Sequence, residues 1–380
     1  MKSVFSSLNE HQKEVLNLIR MHDELSGAEI ARLTGLQPST IVYILNALKE
    51  NHLVEFSKTG DSTQKGGKKP RLYKINAEVG YILGMELLLH KIKLSVIDFA
   101  GHTVLMQEEE YDQSLLKERL TDEISNLVNN FIKRPGFEKN KILGIGVAVP
   151  GLVNSRQGLV YYSRKLELEN VNLKTILEEK LEVPVFICND ANAGVLGFHW
   201  FPEKGDELLT NVIYLVYNQE SVNMGSGILI QNRLYEGSSG GAGEILTHLP
   251  SLRQMIEEAN ALVPESHEKL HSSLSLGDIV IRAHQQHPAA MHVLEILCRQ
   301  LAEQIIAIVA FMNPHAIVLG GDLSEHQAIV SEKIVPYVKN KIAEQLKHGF
   351  EVPVIKASRF GGFSVSMGAA AMVMNEYFMM

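Results

Sequence analysis

The sequence predicts an α/β protein in two parts: a small N-terminal winged helix-turn-helix, then a large α/β body built from one plan used twice. Three observations predict this. Residues 1–76 carry a net charge of +3 while the rest carries −11, within 380 residues of net charge −8. A small–glycine–aliphatic register, Ala31, Gly35 and Ile41, recurs at helix-turn-helix spacing. Two distant stretches repeat the order strand, hairpin, helix, buried strand.

Composition bounds the answer. Apolar residues are 45% and charged residues 21%, with zero mean hydropathy, the balance of a folded chain and not of a disordered one. At roughly 100–200 residues per domain, this length implies two or three domains. The longest purely apolar run, Ile305 to Met312, is far short of the roughly 20 residues a membrane helix needs. The N-terminus shows no secretory pattern. Two cysteines, Cys188 and Cys298, make neither a disulfide framework nor a four-thiolate zinc site. The expectation is a cytoplasmic protein with no membrane contact, no metal and no cofactor.

In the head, apolar residues Val15, Leu16, Leu18 and Ile19 predict an amphipathic helix over 8–21. Ser26 with Glu29 has capping-box spacing and opens a second helix that stops near Gly35. Pro38 suits the first turn of a third helix through Ile41, Ile44, Leu45 and Leu48. That leaves Gln37, Ser39, Thr40, Tyr43 and Asn46 on its outer face, able to meet phosphates or base edges. Strands at 53–57 and 71–75 flank a wing. Its tip, Lys65-Gly66-Gly67-Lys68-Lys69-Pro70-Arg71, opens a ten-residue run holding five positive side chains. Lysine and arginine at a wing tip gain from the negative potential of a narrow minor groove. The partner expected is double-stranded operator DNA, read by a homodimer or tetramer. A protein-contact domain with a solvated basic loop is the alternative.

In the body, the first plan is Tyr81–Glu86, Ile92–Asp98, a turn at Ala100-Gly101, Thr103–Leu105 and, after a helix, Ile142–Val149. The second is Asn211–Val216, Gly227–Ile230, a turn at Gln231-Asn232, Arg233–Tyr235, an apolar helix over 291–312, and Ala316–Gly321. Two such lobes around a cleft make the actin-like (ribonuclease H-like) architecture of sugar kinases. The boundaries expected are 1–76 for the DNA-binding head, 77–200 for the first lobe and 201–364 for the second. A terminal helix over 365–380 is expected to pack back on the first lobe.

Gly240-Gly241-Ala242-Gly243-Glu244-Ile245 resembles the AGE-I/L-GH segment of the ROK family of repressors and kinases. Cys188-Asn189-Asp190-Ala191-Asn192-Ala193 resembles that family's END-A-N segment, and Gly66–Pro70 with Leu72 resembles the G-R-R-P segment of its repressor branch. The resemblance covers nearly the whole chain. Regulators of xylose and N-acetylglucosamine operons are the nearest class. It implies a carbohydrate effector in the interlobe cleft, met by Asn189, Asp190 and Glu244. In the family's kinases the aspartate at the position of Asp190 deprotonates a sugar hydroxyl.

Several departures qualify that implication. Glu86-Leu87-Leu88-Leu89-His90-Lys91 stands where the family's first phosphate loop reads D-x-G-G-T-K, so both glycines are leucine. Ser221–Gly227 keeps only the last two glycines of the second loop. Leucine side chains obstruct a backbone phosphate cradle. The expectation is a regulator and not an enzyme, with Asp190 a vestigial base. The rivals are a sugar kinase carrying a DNA-binding domain and a repressor governed by a protein partner. The family's cysteine-rich zinc segment is absent. His267 and His271 are a metal pair only if a third ligand exists. His248, one place beyond the family's histidine, is either a displaced sugar contact or a surface histidine. In the segment Ser163–Leu173 the family's sugar-holding asparagine is Lys165, beside Arg164. Either Lys165 pairs with an anionic effector or it faces solvent or Glu244.

Overall fold

The computed structural model describes residues 8–60, 69–111, 116–134, 137–203, 205–206, 209–219, 224–245, 249–265, 268–345 and 351–378. The chain divides into two compact units. One comprises Met1–Val149, Ser155–Cys188 and Ala369–Met380; the other comprises Pro150–Asn154 and Asn189–Gly368.

The first unit begins with three helices and a small sheet. Helix α1 (Glu10–Met21) starts two residues later than its apolar pattern suggests, because Asn9 caps it. Asn9 accepts from the Gln12 N–H and the Gln12 side chain accepts from the Asn9 N–H, both at 3.0 Å. After β1 (Leu25–Ser26), helix α2 (Gly27–Thr34) opens on the expected Ser26–Glu29 capping box and ends at Gly35, at φ 70°. That left-handed turn suits a residue without a Cβ. Helix α3 (Pro38–Glu50) follows with proline in its first turn. Val15, Leu16, Ile19, Ile30, Ile41, Ile44, Leu45 and Leu48 are buried from all three helices. Strands β2 (Val54–Thr59) and β3 (Arg71–Ile75) pair antiparallel, and the sheet order is β1-β3-β2.

The same unit contains strands β4 (Tyr81–Leu87), β5 (Lys91–Asp98) and β6 (Thr103–Glu110), then helix α4 (Leu116–Ile132) and strand β7 (Ile142–Val149). Strand β8 (Leu152–Asn154) belongs to the second unit. Strands β9 (Leu159–Ser163) and β10 (Leu168–Asn172) form an antiparallel hairpin that the sequence reading does not anticipate. Helix α5 (Leu173–Leu181) leads to β11 (Val185–Asn189). The sheet order is β11-β7-β4-β5-β6, with β4 antiparallel to β5 and parallel to β7.

The second unit continues with helix α6 (Asp190–Trp200), then β12 (Val212–Tyr217), β13 (Met224–Ile230), β14 (Arg233–Leu234) and β15 (Glu244–Ile245). Helices α7 (Leu252–Leu262), α8 (Leu276–His284) and α9 (Pro288–Met312) follow. Helix α9 begins three residues before the expected 291, since Pro288 fits its first turn without losing a hydrogen bond. Strand β16 (Ala316–Gly321), helix α10 (Val335–Gln345), strand β17 (Val354–Ala357) and helix α11 (Ser364–Phe378) complete the chain. The sheet order is β14-β13-β12-β16-β17, with β15 also paired to β13. Again the first strand, β12, is antiparallel to β13 and parallel to the strand after the long helix, β16. Five strands of this sheet thus repeat the order of the first, and β15 is an addition without a counterpart there.

Residues 369–378 of α11 lie in the first unit, where Tyr377 donates to the Leu143 carbonyl at 2.6 Å and Phe378 stacks on Phe99 at 5.1 Å. The Arg20 guanidinium of α1 sits 5.9 Å from the Phe378 ring centroid, and burial lowers its pKa to about 10. Among the described residues no helix is long and apolar enough to cross a membrane.

Candidate functional site

Three places collect the candidate residues. The first is the outer face of α3. Gln37 caps the helix without a side-chain capping bond and is exposed, as are Ser39, Tyr43 and Asn46; Thr40 is half-buried. In the neighbouring capping box the Glu29 carboxylate accepts from the Ser26 hydroxyl at 2.7 Å and the Ser26 N–H at 2.8 Å. Those bonds favour its charged form and lower its pKa. Lys69, just before β3, and Arg71, its first residue, are exposed, and the Arg71 guanidinium lies 5.9 Å from the Phe56 ring centroid. Lys65, Gly66, Gly67 and Lys68 lie outside the described residues.

The second place surrounds the start of α6. Asn189 is the N-cap: its side-chain oxygen accepts from the N–H of Ala191 at 2.9 Å and of Asn192 at 3.1 Å. Its amide nitrogen donates to the Gly151 carbonyl at 2.9 Å. Asn189 is thus largely occupied by the backbone, with one amide N–H left to donate. Asp190 is the first helical residue, and its carboxylate accepts from the Ala191 N–H at 2.9 Å. Glu244 is placed opposite Gly225 by the pairing of β15 with β13. Although the residue is exposed, partial desolvation of its carboxyl, and then the charge of Asp190, raise its pKa above the ordinary glutamate value.

Glycine makes this approach possible. Gly243, at φ 94°, packs so tightly that a Cβ would collide with the Ser226 carbonyl, and its own carbonyl accepts from the Ser226 N–H at 2.9 Å. A Cβ on Gly227 would collide with the Ala191 carbonyl. The surviving glycine at 227 is accounted for by its contact with α6. Gly151, which anchors Asn189, is absent from the sequence-based candidates; the Pro150-Gly151 turn signal is the cue that could have found it. His248 lies outside the described residues.

Lys165 belongs to the first unit. It is half-buried in the turn joining β9 to β10, next to exposed Arg164.

The third place is the β4–β5 turn, where the resemblance puts a phosphate loop. The Leu88 N–H donates to the Lys91 carbonyl at 2.9 Å, and the Leu88 carbonyl accepts from the Tyr111 hydroxyl. Burial raises the Tyr111 pKa to about 12. Leu88 and Leu89 are half-buried. Residues 221–223 of the second loop lie outside the described residues; Met224–Gly227 belong to β13. His271 is paired with the Ser273 hydroxyl at 2.6 Å, while His267 lies outside the described residues. Among the described residues no three histidine, cysteine or acidic side chains are grouped to hold a metal.

Two sheets of one strand order, with helices between their strands, define an actin-like fold of the sugar-kinase type. The ROK family model matches residues 82–376, and the chain belongs to the ROK family. A xylose repressor of Caldicellulosiruptor bescii is 28% identical over 393 residues, covering 95% of this chain and 94% of its own. NagC, a DNA-binding transcriptional dual regulator of Escherichia coli, is 23% identical over 382 residues, covering 92% of this chain and 90% of its own. A crystal structure of a ROK family transcriptional regulator, a homologue of the E. coli MLC protein, superposes with TM-score 0.75 at 21% identity. That likeness covers 97% of this chain and 96% of the other. A ROK family glucokinase from Streptomyces griseus, solved with glucose and AMPPNP, gives TM-score 0.63 at 20% identity. It covers 77% of this chain and 99% of the kinase. At these identities the two structures establish the fold.

Proposed function

We propose that this chain is a sugar-responsive transcriptional repressor of carbohydrate-utilisation genes. The observation that carries this reading is the two-sided third helix. Ile41, Ile44, Leu45 and Leu48 anchor one side of α3 in the head, while Ser39, Tyr43 and Asn46 stand exposed on the other. Residues 1–76 act as a winged helix-turn-helix: α3 enters the major groove and the basic β2–β3 wing follows the backbone. The protein binds as a dimer, one head to each half-site. The names of its xylose- and N-acetylglucosamine-repressor relatives support a carbohydrate effector.

The effector site we assign is the start of α6 with β15. Asp190 and Glu244 accept hydrogen bonds from sugar hydroxyls, and the remaining amide N–H of Asn189 donates one. Lys165 is proposed to select an anionic sugar or sugar derivative. Phosphoryl transfer is not part of this reading. Leu88 and Leu89 occupy glycine positions of the phosphate loop, and the Leu88 N–H is already committed to the turn. Binding alters DNA affinity only if the effector has different affinity for the DNA-competent and DNA-free states.

The test is an electrophoretic shift assay of the full chain on its own promoter region, repeated with neutral, amino, acidic and phosphorylated sugars. The expected result is a specific complex whose affinity changes with one sugar class. No specific complex, or magnesium-dependent ATP turnover with any of those sugars, overturns the reading. Equal responses to an anionic sugar and its neutral analogue remove the role given to Lys165.

A further inference from the structure

Val42 is 58% exposed and Tyr43 is 71% exposed. Both are on α3, and both belong to the face opposite the buried residues Ile41, Ile44, Leu45 and Leu48. At 100° per residue, Ser39, Val42, Tyr43 and Asn46 form one stripe, at positions i, i+3, i+4 and i+7. The stripe is polar at its ends and apolar in its middle.

An exposed valine is an unfavoured choice there on local grounds. Its branched side chain loses rotamer freedom in a helix, and lysine, glutamate or glutamine would serve a solvated position better. Next to it, Tyr43 presents a large ring to solvent. The surroundings favour a polyanion: residues 1–76 carry +3 on a chain of net charge −8, and Lys69, just before β3, and Arg71, at its start, are exposed. In the major groove of DNA one feature rewards an aliphatic side chain, the C5-methyl group of thymine.

We propose that Val42, supported by the ring of Tyr43, reads thymine methyl groups in the major groove, so that half-site specificity is partly apolar. This rests on the DNA-binding reading above and deepens it. Ser39 and Asn46 bracket the apolar pair with groups that bond base edges or phosphates. Val42 is absent from the polar candidates on this helix because an aliphatic side chain makes no hydrogen bond.

The experiment uses the full-length protein. Binding sites are selected from a randomised duplex pool and then resynthesised with deoxyuridine in place of thymine, which removes only the methyl. Affinities are measured by fluorescence anisotropy. Burying one methyl corresponds to a loss of about fourfold on its removal. The expected result is selected half-sites that share thymines, and wild-type affinity that falls about fourfold for each contacted methyl lost. V42A, with its helicity checked by circular dichroism, discriminates thymine from deoxyuridine duplexes less than wild type does, since alanine keeps a single methyl for the contact. Y43A, checked the same way, shows a reduced but measurable preference for thymine. Half-sites without shared thymines, or wild-type affinity unchanged by deoxyuridine, overturn the proposal and leave DNA binding intact. Failure to select any duplex overturns both this proposal and the reading beneath it.

Discussion

The two sheets of the body share one strand order and differ in what their hairpins hold. In the second unit the β12–β13–β15 region depends on absent side chains. Gly227 and Gly243 let backbones meet, and Glu244 is thereby held where the charge of Asp190 is felt. In the first unit the β4–β5 hairpin turn is filled by side chains. Leu88 and Leu89 occupy its turn, and Tyr111 closes over it by donating to the Leu88 carbonyl. The same topology thus keeps a close-approach site in one half and a packed corner in the other. Sheet order is determined by long apolar strands and tolerates such change. Ligand chemistry depends on a few backbone approaches and does not.

The largest effect is expected from Gly227→Ala. Its Cβ would meet the Ala191 carbonyl at the start of α6, a collision with backbone that only displacement of helix or strand relieves. Urea unfolding should show a loss of about 3 kcal/mol, at the upper end of overpacking. Wild-type stability would show that α6 yields freely and would break the contrast with the first unit. The double variant Leu88→Gly/Leu89→Gly places glycine where the family resemblance puts the glycines of a phosphate loop. It should lose about 2 kcal/mol, near 1 per residue for added backbone freedom, and calorimetry with magnesium-ATP should still show no binding. Binding of ATP would mean that the leucine side chains alone separate this corner from a nucleotide site.

Tyr111→Phe removes one partly buried hydroxyl and should cost about 1 kcal/mol, read from the same urea curves. A smaller, pH-dependent effect is expected from Glu244→Gln. The folded-state pKa of Glu244 is raised, so the native state holds this proton more tightly than the unfolded chain. Its contribution to stability is therefore present at low pH and declines as pH rises from the ordinary glutamate range through the raised value. The glutamine variant should flatten that decline in thermal melts while losing sugar binding. An unchanged pH profile would show that neither desolvation nor the charge of Asp190 raises the Glu244 pKa in the folded protein.

Much of this was legible in the residues themselves. Ser26 and Glu29 announce a helix start because their hydrogen bonds span only three residues. Strand β7 has the bounds its apolar run predicts, since burial on both faces leaves no other pattern. The β9–β10 hairpin escaped notice because β10, Leu168-Glu169-Asn170-Val171-Asn172, is mostly polar and buries only Leu168. Asn189 could be read as a ligand contact; that it spends most of its amide on Ala191, Asn192 and Gly151 could not.

By itself the sequence determined the three helices of the head, the long helix before β16, the duplicated strand plan and the family motifs, because caps and apolar periodicity act between near neighbours in the chain. Tertiary structure alone decided which distant groups meet. Tyr377 reaches the Leu143 carbonyl across 234 residues, Arg20 of the first helix lies against Phe378 near the last, and Glu244 feels the charge of Asp190. Local periodicity carries no record of such meetings, since they arise only when the sheets and helices that hold these side chains pack together.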